Sequence, residues 1–129
     1  MKLSIVTTLY KSQKYIYEFY ERIKKQACDI SDDHEIIFVN DGSPDDSLDV
    51  AVHISQQDPT VKIVDLSRNF GHHKAVMTGL SYAKGDFVFF VDVDLEEEPE
   101  LLGRFWKIMV DGQSCAVVDG AQELRRGGK

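Results

Sequence analysis

Two aspartates stand directly after a strongly apolar segment near the middle of the chain. The run from Phe87 to Val91 precedes Asp92 and Asp94, and Glu96 follows two residues later. Side chains alternate between the two faces of a strand, but the chain turns where the strand ends, so both aspartates can converge on one ion. Mg²⁺ and Mn²⁺ prefer such carboxylate oxygens together with substrate phosphates. The spacing predicts Mg²⁺ or Mn²⁺ holding a nucleotide diphosphate on Asp92 and Asp94, with Glu96 as a third ligand.

The composition limits the other classes of protein to consider. The chain has 129 residues, 43% of them hydrophobic, which suits one domain with one core. Its 15 Lys and Arg against 22 Asp and Glu give a formal net charge of -7, which argues against nucleic acid as a partner. No segment approaches the ~18 to 20 apolar residues that span a bilayer, and none has signal-peptide anatomy. We therefore expect a soluble, cytoplasmic chain in which Cys28 and Cys115 are reduced.

The elements that must position the aspartates alternate between strand and helix. Apolar, β-branched runs predict strands over residues 3–9, 35–39, 61–66, 86–91 and 115–118. Helices are predicted between them, over residues 15–27, from 43 onward, over 71–83 and over 99–112. Ser43 and Pro44 are expected to begin the second helix, and Gly85 and Gly112 to close the third and fourth. This order predicts an α/β fold, a mostly parallel sheet with helices on both faces.

In such a sheet, ligands bind at the carboxyl ends of the strands. Polar residues follow four of the predicted strands: Thr8 and Tyr10, Asn40 and Asp41, Arg68 and Asn69, and Asp92 and Asp94. Asp41 is placed to accept hydrogen bonds from a base or ribose, although its segment also suits a simple strand-to-helix turn. Arg68 could pair with Asp41 or Asp92, or meet the nucleotide. No glycine-rich phosphate motif occurs, so a metal would have to hold the phosphates.

The adjacent histidines His72 and His73 open the third predicted helix. Neighbouring residues of a helix do not face each other, so these two side chains are not expected to share a metal ion. We expect them to be solvated or to support other residues of the site.

Taken together and in order, these motifs resemble one family. The chain resembles the inverting family 2 glycosyltransferases of the GT-A fold, and among them the polyprenyl-phosphate (dolichol-phosphate mannose synthase-like) enzymes. The matching blocks cover residues 4–10, 39–47, 66–72, 75–86 and 91–100. Each block alone is a weak signal, but their order along nearly the whole chain makes a strong one.

The resemblance implies the N-terminal, nucleotide-sugar-binding part of such an enzyme, over residues 1–121, with residues 122–129 as a tail. The donor would be a UDP- or GDP-linked sugar, and the acceptor of the whole enzyme a polyprenyl phosphate at the cytoplasmic face of a membrane. Asp94 would be the catalytic residue and would hold the metal that bridges the diphosphate. The implied nucleotide-binding residues are Thr8, Tyr10, Asp41, Arg68, Asp92 and Val93.

Two other functions stay open at this point. The chain could be a module that binds the donor without transferring the sugar. A flavodoxin-like, Mg²⁺-dependent phosphoacceptor also has an acidic rim, but it needs an acidic pair after the first strand, where this chain has Thr7 and Thr8. An unpaired sheet edge would also allow a homo-oligomer.

Overall fold

Strands and helices alternate through most of the computed structural model, which describes residues 2–110, 117–118 and 121–125. In chain order the elements are β1 (Leu3–Leu9), α1 (Ile16–Ile30), β2 (His34–Asn40), α2 (Ser47–Gln57), β3 (Val61–Asp65), α3 (His72–Tyr82), β4 (Phe87–Val91), α4 (Leu101–Val110), β5 (Val117–Val118) and β6 (Ala121–Arg125). The predicted α/β alternation is confirmed as far as α4.

The six strands form one sheet in the order β3-β2-β1-β4-β6-β5. The first four strands are parallel, whereas β6 runs antiparallel to both β4 and β5. A strand therefore runs through Ala121–Arg125, where the sequence predicted a tail from residue 122. Only two residues separate β5 from β6, and so short a connection allows antiparallel but not parallel pairing.

Both faces of the parallel strands are covered, which explains their nearly continuous apolar sequences. On one face, β1 and β2 pack against α1, where the rings of Phe19 and Phe38 meet edge to face at 6.2 Å. On the other face, Val6 of β1 packs in a smaller cluster with Ala75 of α3. Full burial of a side chain such as Phe19, Phe38 or Val6 contributes about 1.5 to 3 kcal/mol to the stability of the fold. The packing fixes the carboxyl ends of β1 and β4 side by side.

The second helix begins later than the sequence predicts. Ser43 does not cap it, since α2 starts at Ser47 with Asp46 in the N-cap position. The hydroxyl of Ser43 instead accepts the backbone N–H of Lys11 at 2.8 Å and donates to the carboxylate of Asp45. Asp45 in turn accepts the N–H of Ser47 at 3.0 Å. The loop before α2 is thus tied to the loop that follows β1.

The remaining boundaries differ by a few residues. The fourth helix begins at Leu101 rather than at Pro99. The third helix ends at Tyr82 without a glycine cap, and Gly85 instead donates its N–H to the hydroxyl of Ser4 at 2.8 Å. The expected helix stop at Gly112 and the residue Cys115 lie outside the described residues.

Cys28 is a free, exposed thiol. None of the helices in the described part of the chain is long and apolar enough to cross a membrane.

Candidate functional site

An open cleft of about 230 Å³ lies at the carboxyl ends of β1 and β4. These two strands are neighbours in the middle of the sheet, and the strand order reverses between them. Ligands of open α/β sheets bind at such a switch point. The residues that line the cleft are Thr8, Tyr10, Ser12, His72, Asp92, Val93 and Asp94. Five of them are residues that the sequence analysis selected.

The two aspartates of the cleft differ in their surroundings. Asp92 is half-buried directly after β4, whereas Asp94 is exposed. Burial raises the pKa of Asp92, and the negative charges of Asp94 and Glu96 raise it further, while His72 acts in the opposite direction. A cation beside two neighbouring carboxylates offsets the repulsion between their charges. The pair is therefore suited to binding a positively charged ion.

A tight turn presents Asp94 to the cleft. Val93 is buried in the main core and Leu95 packs against that core from the other side of Asp94. Leu95 adopts a φ of 66°, a backbone conformation uncommon for a residue other than glycine. The backbone N–H of Glu96 then donates to a carboxylate oxygen of Asp94 at 3.1 Å. The turn leaves the other oxygen of Asp94 available to a ligand.

Two carboxylates line the cleft, those of Asp92 and Asp94, and their oxygens suit a divalent metal. Within the described residues, no three or more His, Cys, Asp or Glu side chains are grouped closely enough to hold a metal. Glu96 does not line the cleft, and its part as a third ligand stays a prediction. Mg²⁺ is usually bound by one or two carboxylates, with substrate phosphates and water completing its coordination. Asp92 and Asp94 meet that requirement without Glu96.

Asp41 is buried at the end of β2 and holds three segments together. Its N–H donates to the carbonyl of Leu9 at 2.9 Å. Its carboxylate accepts the N–H of Phe70 at 2.8 Å, and its carbonyl accepts the side-chain amide of Asn69 at 3.1 Å. Asp41 does not line the cleft. Its visible role is to fix the loop between β3 and α3 beside the site.

Arg68 forms neither of the ion pairs that the sequence suggested for it. Its guanidinium lies over the ring of Phe70, 4.6 Å from the centroid, and both residues are exposed. Within the described residues it pairs with neither Asp41 nor Asp92. The Asp41 carboxylate is buried and accepts the backbone N–H of Phe70. The stacked pair forms a flat cationic surface outside the cleft.

Two residues of the cleft were not selected from the sequence. Ser12 reaches it because the chain turns back at Lys11, where φ is 55°, and the Ser12 hydroxyl accepts the N–H of Tyr10 at 3.0 Å. His72 reaches it from the first turn of α3 and lies 3.4 Å from the hydroxyl of Thr8. The available signal for His72 was its place at a strand-to-helix junction on the same edge of the sheet.

The sequence model of the family described as "Glycosyl transferase family 2" matches residues 4–125. A protein of Mycobacterium tuberculosis named as a glycosyltransferase is 52% identical over 128 residues, which cover 99% of this chain and 37% of that protein. The undecaprenyl-phosphate 4-deoxy-4-formamido-L-arabinose transferase of Serratia proteamaculans is 35% identical over 112 residues, covering 86% of this chain and 34% of that protein. The chain thus spans about a third of the length of these curated relatives.

Solved structures of glycosyltransferases share the fold. The crystal structure of S. aureus TarS 1-349 in complex with UDP-GlcNAc superposes with a TM-score of 0.70 at 30% identity, covering 86% of this chain and 32% of that one. The mannosyltransferase PcManGT from Pyrobaculum calidifontis, in complex with GDP-Man and Mn²⁺, gives a TM-score of 0.65 at 18% identity, covering 82% of this chain and 32% of that one. The architecture is the GT-A fold that the sequence predicts. The chain belongs to glycosyl transferase family 2.

Proposed function

We propose that this chain binds a nucleotide-diphosphate sugar through a divalent metal held by Asp92 and Asp94. In the whole protein, the sugar would then be transferred with inversion to a polyprenyl phosphate. The observation that carries the proposal is the pair of aspartates in one cleft at the switch point of the sheet. The UDP-GlcNAc complex of TarS and the GDP-Man and Mn²⁺ complex of PcManGT support a nucleotide-sugar donor and a metal.

The residues of the cleft divide into two groups in this proposal. Asp92 and Asp94 would hold Mg²⁺ or Mn²⁺, which, when bound, neutralises the charge that builds on the leaving diphosphate. The hydroxyl groups of Thr8 and Tyr10 also line the cleft, where they can hydrogen-bond the nucleotide, while the hydroxyl of Ser12 bonds the backbone of Tyr10. Asp94 is the exposed member of the pair, so its carboxylate would be the ligand more accessible to the metal and its diphosphate.

The base of the nucleotide would lie outside the cleft, near the stacked Arg68 and Phe70. Asp41 anchors that loop through the N–H of Phe70, so it would act on the nucleotide through loop position and through its remaining carboxylate oxygen. The flat surface of a base stacks well on a guanidinium over an aromatic ring. Tyr10, which is 45% exposed, borders the same edge of the sheet.

A polyprenyl phosphate acceptor agrees with the chemistry of the site. The phosphate is already ionised at neutral pH and can act as the nucleophile, so the reaction requires no protein base. The name of the Serratia relative supports an acceptor of this kind. Because the chain spans about a third of that relative, a donor-binding module without transferase activity of its own is the second candidate function.

The experiment compares Asp94→Asn with Glu98→Gln, an exposed glutamate of the same segment that lies outside the cleft. Binding of UDP and GDP is titrated with and without Mn²⁺. We expect Asp94→Asn to weaken the Mn²⁺-dependent binding by at least ~10-fold, as loss of a metal-site partner typically does. Glu98→Gln should bind like the unaltered chain. Unchanged binding by Asp94→Asn would contradict the proposed site.

A separate assay distinguishes transfer from binding alone. The chain is incubated with Mn²⁺, a radiolabelled nucleotide sugar of the base that it binds, and undecaprenyl phosphate. A lipid-extractable, sugar-labelled product identifies a transferase. Binding without product identifies the donor-binding module.

A further inference from the structure

His72 differs chemically from the other side chains of the cleft. Among the described residues that line it, only His72 carries a side-chain nitrogen; the others offer hydroxyl groups, carboxylates or an apolar surface. His72 and its neighbour His73 are both exposed, but of the two only His72 lines the cleft. The functional assignment above gives His72 no part, although it stands beside the two aspartates.

Two contacts orient the imidazole ring. Nδ1 lies 3.4 Å from the hydroxyl oxygen of Thr8, within hydrogen-bond distance. The ring also meets the ring of Phe90 edge to face, with centroids 5.6 Å apart and planes at 73°. Within the described residues, Nε2 has no protein partner. The side chain is therefore held in place with one nitrogen left for a ligand.

The negative charge of the cleft means that a phosphate group would need a hydrogen-bond donor there. Asp92 and Asp94 line the cleft in a chain of net charge -7, so a phosphate group would meet repulsion on that side. His72 also stands in the first turn of α3, whose N-cap residue Gly71 offers no side chain to the free N–H groups there. That end of a helix carries partial positive charge, which favours a bound anion and disfavours a lone cation.

We propose that Nε2 of His72 donates a hydrogen bond to a phosphate oxygen of the substrate. This inference rests on the proposed function, because it requires a phosphorylated ligand in the cleft of Asp92 and Asp94. The phosphate could belong to the nucleotide-diphosphate donor or to the acceptor. His72 shares the cleft with both aspartates that would hold the metal on the donor, so the donor diphosphate is the expected source.

The test uses His72→Ala and His72→Gln, with His73→Ala as the matched control. Each chain is titrated calorimetrically, in Mn²⁺, with UDP or GDP, with the corresponding nucleoside, and with geranyl phosphate. We expect His72→Ala to weaken diphosphate binding about 10-fold, the effect of losing a hydrogen bond to a charged group, and to leave nucleoside binding unchanged. His72→Gln keeps an N–H donor and should recover part of the loss. His73→Ala should bind all ligands normally.

The outcomes separate this inference from the proposed function. Weaker binding of geranyl phosphate with normal diphosphate binding would support the contact and move it to the acceptor. Normal binding of both phosphates by His72→Ala would overturn the inference alone, as would an equal loss of nucleoside and diphosphate binding. Failure of the unaltered chain to bind any nucleoside diphosphate with Mn²⁺ would overturn the proposed function and this contact together.

Discussion

Arg22 donates two hydrogen bonds to the carboxylate of Glu100. Nε donates to one oxygen at 2.9 Å and Nη2 to the other at 2.6 Å, while Nη1 donates to Glu18 at 2.8 Å. Glu100 immediately precedes α4, at the end of the segment that begins with Asp92 and Asp94. Arg22 therefore joins α1 to the far end of the segment that carries the candidate metal ligands. Bidentate pairs of this kind add geometric specificity as well as energy.

Arg22→Gln should loosen the segment without unfolding the chain. We expect the Mn²⁺ concentration that half-saturates nucleotide binding to rise. The rise should be smaller than the ~10-fold that follows loss of a side chain hydrogen-bonded to a metal ligand. Combining Arg22→Glu with Glu100→Arg should restore part of the loss. The exposed Lys62, on β3 and distant in the sheet order, supplies the control Lys62→Gln. A metal dependence identical in Arg22→Gln and the control would show that the pair has no effect on the site.

A second polar cluster predicts how stability depends on pH. Asp58 accepts the hydroxyl of Tyr20 at 2.6 Å and lies 3.0 Å from the ammonium of Lys24. Burial opposes its ionisation, but hydrogen bonds from Tyr20, Thr60 and Lys24 outweigh burial and hold the pKa of Asp58 below its ordinary value of 3.8. The cluster therefore stabilises the fold above that pH, and its contribution is lost as the pH falls towards the folded-state pKa.

Tyr20→Phe tests this cluster. Removing the hydroxyl should lower the free energy of unfolding by about 1 kcal/mol at neutral pH, the usual worth of such a hydrogen bond. The difference from the unaltered chain should persist at about pH 2.5, because the folded-state pKa of Asp58 is held low enough to keep the folded carboxylate ionised there. Urea unfolding at both pH values measures it. A difference that disappears at about pH 2.5 would mean that the hydroxyl of Tyr20 does not hold the pKa of Asp58 low.

Gly42 allows two loops of the site to touch. Its φ is 64°, and a Cβ there would lie 2.5 Å from the carbonyl carbon of Arg68. Gly42→Ala should therefore lower stability by roughly 1 to 3 kcal/mol and also weaken nucleotide binding, because the loop that carries Arg68 must shift. Gly71→Ala is the control for backbone strain alone. Gly71 has a φ of 101°, and no atom lies within 4 Å of the added Cβ. Equal effects of both variants on binding would argue against the loop contact.

Ionised Asp92 should destabilise the fold. Its raised pKa, caused by burial and by Asp94, means that the folded chain holds the proton more tightly than the unfolded one. Stability therefore decreases as the pH rises from the ordinary value of 3.8 through the folded-state pKa, and the penalty persists at neutral pH. Asp92→Asn should raise the Tm by a few degrees near neutral pH and weaken metal-dependent binding. A lower Tm for Asp92→Asn would show that ionised Asp92 does not destabilise the fold.

Periodicity and apolar runs were enough to predict the alternating elements and the edge of the sheet on which the site lies. The strand before Asp92 is unmistakable in sequence, because five apolar residues precede the acidic ones without interruption. The polar segment Ala121–Arg125 carries no such signal, and its pairing with β4 is a tertiary effect. That difference explains why β4 could be predicted and β6 could not.

The details of the site depended on backbone contacts that side-chain types do not reveal. Arg68 does not make the pairing with Asp41 that the sequence allows, because its guanidinium lies over the ring of Phe70 while one oxygen of the buried Asp41 carboxylate accepts the N–H of Phe70. Ser12 enters the cleft through the positive φ of Lys11, which nothing in the sequence requires. The roles of the site residues in binding and catalysis stay predictions, which the proposed variants test.

Calorimetric titration of the unaltered chain with UDP, GDP and CDP, each with and without Mn²⁺, shows whether the cleft binds a nucleoside diphosphate through a metal. We expect saturable binding of at least one nucleoside diphosphate, lost when Mn²⁺ is withheld and restored when it is added. Binding that is equally tight without Mn²⁺ would contradict the assignment of Asp92 and Asp94 as metal ligands. Absence of binding under every condition would contradict the donor site itself.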